Sequence, residues 1–272
     1  MPDPISLIAT GAAVGGFAGK IAEKAWDSAE KWLHEKFGSH EAEAQKHARK
    51  NAARFVSEFR IQLEILENKG SVNPKKLAET QKHPQFSALL QQTILNAAQT
   101  DSEAKHKLLA KLIALRLASS TENTITLASQ LASDAISRST SGQLKLMALC
   151  CFLEDIRPGS TLASSAYRKW IGIHLKPFID FEFNEHDVWH LVAIACASFD
   201  PPSERNLELL LQMKGGLKCL ETTFEKIPEV EVLQINWNLG LAGVHLTSVG
   251  SIVGGLALGQ INGIDYGMPD WK

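Results

Sequence analysis

Two histidines four residues apart in HDVWH, His186 and His190, share one face of a helix, the spacing with which two imidazoles reach a single zinc ion. In zinc proteases of that layout a glutamate follows the first histidine and acts as general base. Here Asp187 stands in its place, one methylene shorter, and no downstream Glu or His has an evident third-ligand position. A helix N-terminus capped by Asn184 explains Glu185 and Asp187 through the helix dipole. GGFAGK (15–20) has the outline of a phosphate-binding loop, but it follows an apolar run instead of a strand. Ile21 also occupies the place of the magnesium-binding Ser or Thr. Neither a dinucleotide-binding glycine fingerprint nor a GxSxG elbow occurs. With no nucleophile–base set in view, the reading is a protein without catalysis, with no metal and no cofactor.

A second grouping, YRKW with a lysine beyond, interleaves cations with rings: Tyr167, Arg168, Lys169, Trp170 and Lys176. Stacking faces mixed with phosphate contacts are how single-stranded nucleic acid is held. These five residues are therefore the candidate ligand site, and a short single-stranded oligonucleotide is the candidate ligand. The basic runs Lys46–Arg49–Lys50–Arg54 and Lys105–Lys107–Lys111–Arg116 read as solvated helix faces. A net charge of −2, from 28 basic and 30 acidic side chains, excludes a protein coated with positive charge for long duplexes. The four cysteines, Cys150, Cys151, Cys196 and Cys219, match no metal spacing and read as buried reduced thiols.

The third grouping carries most of the functional reading. In GAAVGGFAG, Gly11, Gly15 and Gly19 fall in i, i+4 register, with Gly16 beside them. Each costs a helix roughly 1 kcal/mol relative to alanine. From Pro4 to Gly19 no side chain is charged. As a helix this run is about 24 Å long, against about 30 Å of hydrocarbon, and a snorkelling Lys20 brings it closer to a span. Such a segment suits conditional insertion, with the glycine face mediating helix contact in a homo-oligomer. The competing reading is a soluble helix packed closely against a neighbour within the fold. Near the C-terminus Gly250 with Gly254, and Gly255 with Gly259, repeat the spacing in a run too short to span; a tightly packed terminal helix is expected there.

The elements that must position these groups are mainly helices. Apolar periodicity predicts helices over about 20–37, continuing the apolar run before it, then 40–68, 84–99, 102–118, 123–137, 140–156 and 160–174, a helix over about 185–198 after Asn184, and another over about 201–213. Asp101 is expected to cap the helix that follows it. After Pro228, EVEVLQINW alternates and predicts a strand, with GLAGVHLTS returning as its hairpin partner and a glycine-rich helix starting at Thr247 or Ser248. The expected fold is a mainly α multi-helix bundle with an N-terminal glycine-zipper helix and a small C-terminal β-hairpin plus helix. Its expected parts are a membrane-active segment (1–38), a helical body (39–227), and the hairpin with its helix (228–272).

Two stretches, HPQFSALLQQTILNAAQTDSEAKHKLLAKLIALRLA (83–118) and LTSVGSIVGGLALGQINGIDYGMPDW (246–271), resemble a diffuse bacterial family of uncharacterised helical proteins. That family has a DPxxQ-like stretch, where this chain reads HPQF, and a terminal LTSVG followed by a short acidic, Trp-containing tail. The layout, an inserting glycine face ahead of a helical body, resembles the channel-forming effectors of Hailong-type antiphage defence. The resemblance implies an oligomeric ion channel gated by a short oligonucleotide that a partner nucleotidyltransferase makes. MPDPISLI has no basic region ahead of its apolar run, so the expected location is the cytoplasm at rest and the inner membrane on activation. The alternative is a soluble helical scaffold or signalling module that binds a partner protein.

Overall fold

The computed structural model describes residues 17–70, 84–118, 124–200 and 205–264. Gly11, Gly15 and Gly16 lie outside the described residues, while Gly19 and Lys20 lie within them. Contacts divide the chain into two units, Met1–Arg138 and Ser139–Lys272. Both are helical, and the mainly α expectation holds.

The first unit holds α1 (Phe17–Phe37), α2 (Ala42–Asn68), α3 (Pro84–Ala98), α4 (Glu103–Ala118) and α5 (Thr124–Arg138). Helix α1 buries Ala18, Ile21, Ala22, Ala25, Ala29, Trp32 and Leu33, a stripe of helical period. It lies antiparallel to α2: the Ala18 N–H donates to Glu67 Oε2 at one end, and Arg49 pairs with Glu30 nearer the other. The opposite face of α2 buries Ala52, Phe55, Phe59 and Leu63 against α3 and α4, with the Phe55 and Phe59 rings stacked 6.1 Å apart. Helix α4 is buried along most of its length, His106 and Arg116 included, and packs against α2, α3 and α5. The expected cap at Asp101 sits one residue on: Ser102 Oγ accepts from the Lys105 N–H, and the Ser102 carbonyl accepts from His106 N–H. A serine hydroxyl reaches the free N–H groups of the first turn as an aspartate does, so either residue satisfies the signal. Thr93 and Asn96 of α3 bond Ser133 and Asp134 of α5, joining two otherwise apolar surfaces.

The second unit runs α6 (Ser141–Glu154), α7 (Ser164–Leu175), α8 (Glu185–Ala193), β1 (Ala197–Phe199), α9 (Leu207–Gly215), α10 (Pro228–Asn238), β2 (Val244–Leu246) and α11 (Ser248–Asn262). Thr140 and Gln143 close a reciprocal capping box at the start of α6. Helix α11 starts on Thr247, as expected, and every residue from Val249 to Gly259 is buried. It packs along α6 so closely that a Cβ on Gly254 would lie 2.5 Å from the Met147 carbonyl oxygen. One on Gly250 would lie 1.9 Å from that of Cys196. Gly250 and Gly254 therefore allow backbone-to-backbone contact inside the fold.

The two strands form an antiparallel pair near the C-terminus, with Ala197 opposite Leu246 and Phe199 opposite Val244. Their identities differ from the expected hairpin. Residues 228–238 are helix α10, not a strand, and β2 pairs with β1. The alternation in EVEV misleads because the buried positions, Val230, Leu233, Asn236 and Trp237, follow a helical period. Pro228 at the first helical position, with Glu229 and Glu231 in the first turn, then favours the helix.

Candidate functional site

Gly19 is the described member of the N-terminal glycine face, and its surroundings differ from those of Gly250 and Gly254. Among the described residues, a Cβ built on it meets nothing within 4 Å. It opens on a groove of about 720 Å³ between α1 and α2, lined by Ala22, Glu23, Trp26, Ala53, Ser57 and Arg60 among others. Lys20 lines the same groove. The groove continues past Trp26 into a second hollow of about 500 Å³, bounded by Gln45, Lys46, Arg49 and Lys50. The Arg49 guanidinium lies 5.9 Å from the centre of the Trp26 ring. Because α1 and α2 run antiparallel, the hollow's cations come from the start of α2 and the groove's carboxylates Glu64 and Glu67 from its end.

The YRKW residues are placed on α7 and its C-terminal turn. Tyr167 is fully buried, and its hydroxyl donates to the Leu211 carbonyl at 2.6 Å. Trp170 is half-buried between the Tyr167 ring, 5.8 Å away, and the His174 ring, 4.3 Å away. Arg168 donates to the backbone carbonyls of Thr223 and Glu225, holding the loop before α10. Lys169 and Lys176 are exposed. The interleaving of cation and ring thus has a use within the unit. Tyr167 presents no free face for a base, and the two exposed cations are what this stretch offers an anion.

In HDVWH the two imidazoles are exposed, and the acids around them are engaged locally. Asn184 Oδ1 accepts from the His186 N–H, Asp187 Oδ1 accepts from Gln143 Nε2 at 2.9 Å, and Glu185 Oε1 accepts from Trp189 Nε1 at 3.1 Å. Among the described residues, no three His, Cys, Asp or Glu side chains gather where an ion could be held. The four cysteines are free and buried. Burial pushes the Cys196 thiol up to about 12 and raises those of Cys150 and Cys151, so these are packing groups, not nucleophiles.

Two charged groupings in the second unit gave no sequence signal. Lys214, at the end of α9, is buried and donates to the carbonyls of Phe152, at 2.7 Å, and Ile156, closing the C-terminus of α6. Burial lowers its amine to about 8. Glu154, at the end of α6, lies between Arg205 and His245, each 3.4 Å from Oε1, while Oε2 accepts from the Leu246 N–H. Burial raises this carboxyl; the Leu246 N–H, Arg205 and His245 act the other way. Arg205 also donates to the Ala242 and Val244 carbonyls and lies over the Trp237 ring, 5.1 Å from its centre. Both groupings join elements distant in sequence, so their partners could not be found by spacing along the chain.

Among the described residues, no helix is long and apolar enough to cross a membrane. No curated protein and no solved structure matches the chain. Residues 19–228 match the model of a family described as ":-like", an uncharacterised family. That match spans most of the chain, from the glycine at the head of α1 to the start of α10, and the chain belongs to this family.

Proposed function

We propose that this chain is a non-enzymatic, self-associating helical effector that acts on a membrane through its N-terminal apolar run. The observation that carries the reading is Gly19. Gly250 and Gly254 are demanded by backbone contact within the fold, whereas among the described residues nothing comes within 4 Å of a Cβ on Gly19, which continues the register of Gly11 and Gly15. A helix glycine with open space beside it leaves room for the close approach of a helix from outside the unit. Lys20 and Lys24 then stay at the interface while the uncharged run enters the bilayer. In this reading the protein is cytoplasmic at rest, reaches the inner membrane on activation, and conducts ions as an oligomer.

A role in antiphage defence of the Hailong type rests on this layout alone, since nothing in the family match links the chain to those effectors. An oligonucleotide trigger made by a partner nucleotidyltransferase belongs to the same reading, with Lys169 and Lys176 as its exposed contacts. The test is dye release from vesicles of anionic phospholipid by the full chain, alone and with short oligonucleotides. Leakage that disappears in Gly11→Leu and Gly15→Leu is the expected result; absence of leakage in every condition overturns the membrane step.

The second reading, a scaffold that binds a partner protein, is favoured by a different observation. Leu209, Met213, Leu217 and Leu220, on α9 and the turn after it, are all exposed, Leu217 to 87%. Retained binding to a partner with no leakage would put that reading first.

A further inference from the structure

Most charges that border the α1–α2 groove are engaged within the first unit. Arg60 pairs with Glu64 at 2.8 Å, and Glu67 accepts from the Ala18 N–H. Past Trp26, Arg49 pairs with Glu30 and Lys46 with Glu43. Between them the lining is small and uncharged: Gly19 and Ala22 from α1, with Ala53 and Ser57 exposed one turn apart on α2. The half-buried Trp26 stands at the far end. An occupant of this space therefore needs apolar surface and no charge.

One stretch of the chain has that character and ends beside the groove. From Pro4 to Gly16, which lie outside the described residues, no side chain is charged. The stretch joins α1 at Phe17, next to Ala18, with which the groove's lining begins. Attachment at so short a distance holds it at an effective concentration on the order of millimolar, an advantage no free partner has. A reversal of the chain is needed to enter the groove. Gly15–Gly16 supplies two residues that turn at no steric cost, and two residues suffice to join antiparallel helices.

We propose that at rest the run from Pro4 to Val14 folds back at Gly15–Gly16 and lies in this groove as a helix antiparallel to α1. Such a helix is about 16 Å long and passes the roughly 10 Å of α1 from Gly19 to Trp26. Counting outward from the turn sets Gly11 and Ala12 near Gly19, and Ile5 beside Trp26. The Ala18–Glu67 and Glu30–Arg49 contacts align α2 with α1, and on that alignment Ser6 comes beside Ser57. The inference rests on the membrane reading above, because the stored segment is the one that inserts, and it names what holds that segment back. Release straightens the glycine pair into α1 and brings Gly11, Gly15 and Gly19 into one register. An activator then needs only to favour the undocked state.

The experiment uses the full chain in solution, without lipid. Since the four native cysteines are buried, Ser6→Cys/Ser57→Cys introduces the two thiols that can react. An internal disulfide is expected, seen as a monomer of altered mobility on a non-reducing gel. Ala53→Trp, which fills the groove from an exposed position, should cut its yield about tenfold. Gly15→Ala/Gly16→Ala, which favours one continuous helix, should also lower it. Maleimide labelling of Ser6→Cys alone gives a second measure, expected to be slow and to speed up about tenfold with Ala53→Trp. Absence of the internal disulfide overturns the proposal, as does a labelling rate indifferent to Ala53→Trp. A disulfide formed only between chains gives the groove to a second copy and equally overturns it. Dye release from vesicles is a separate readout. Cross-linking with no leakage by the reduced protein leaves the docking standing and removes the membrane step; leakage without cross-linking does the reverse.

Discussion

Lys214 shows how one residue's surroundings decide its chemistry. It stands in the last turn of its own helix, where a cation favours the helix C-terminus. In the fold it closes another helix, α6, and burial brings its amine to about 8, from an ordinary value of 10.5. Between those values the unfolded chain binds more protons than the folded one, so stability rises with pH across that window. Lys214→Met removes this titration. The unfolding free energy of the wild type minus that of the variant should therefore increase from about pH 8 to about pH 10.5, read from urea midpoints at matched pH. A flat or falling difference would show that the amine is not held as described. Tyr167 teaches the same lesson without a charge, because its flanking Arg168 and Lys169 suggest a ligand while its own hydroxyl is engaged by the Leu211 carbonyl.

At the scale of the element, the same glycine spacing has two opposite uses. Gly254→Ala forces a Cβ to 2.5 Å from the Met147 carbonyl and 2.9 Å from the Cys151 Cβ. Helix α11 must then move off α6, and a loss of about 2–3 kcal/mol is expected, of the size overpacking costs. Gly19→Ala meets no described residue within 4 Å and gains helix propensity, so it should stabilise by up to about 1 kcal/mol. Thermal melts of the two variants should thus shift in opposite directions; shifts of the same sign would refute the contrast. The capping box at α6 gives a smaller, local expectation. Thr140→Ala leaves the Gln143 N–H without its acceptor and should cost about 1 kcal/mol, measured by denaturant unfolding. Helix α10 marks where reading by element goes astray. Alternation over four residues is compatible with either period, and the burial of Leu233, Asn236 and Trp237, with Pro228 and two acids in the first turn, selects the helix.

For the molecule as a whole, the expectations concern what it joins. Insertion of the N-terminal run is read by vesicle leakage, on which Gly11→Leu and Gly15→Leu report. Gly19→Phe should reduce leakage with them, because Gly19 continues the register of Gly11 and Gly15. Binding of a partner protein at the exposed Leu209, Met213, Leu217 and Leu220 is a separate readout and should be unaffected by these variants.

Sequence by itself determined the helical class, nearly every helix, the caps at Asn184 and Thr247, and the burial of the cysteines. These follow from periodicity and from side chains that bond backbone groups two or three residues away, both local properties of the chain. Only the tertiary structure decided which strand pairs with β2, what Tyr167 and Lys214 bind, and which glycines have neighbours. Each of those depends on a group 44 to 107 residues distant, or on its absence among the described residues. No spacing along a chain encodes such a partner. The glycine register looked alike at both ends of this sequence, and only the packing against α6 distinguished a glycine already in contact from one still open.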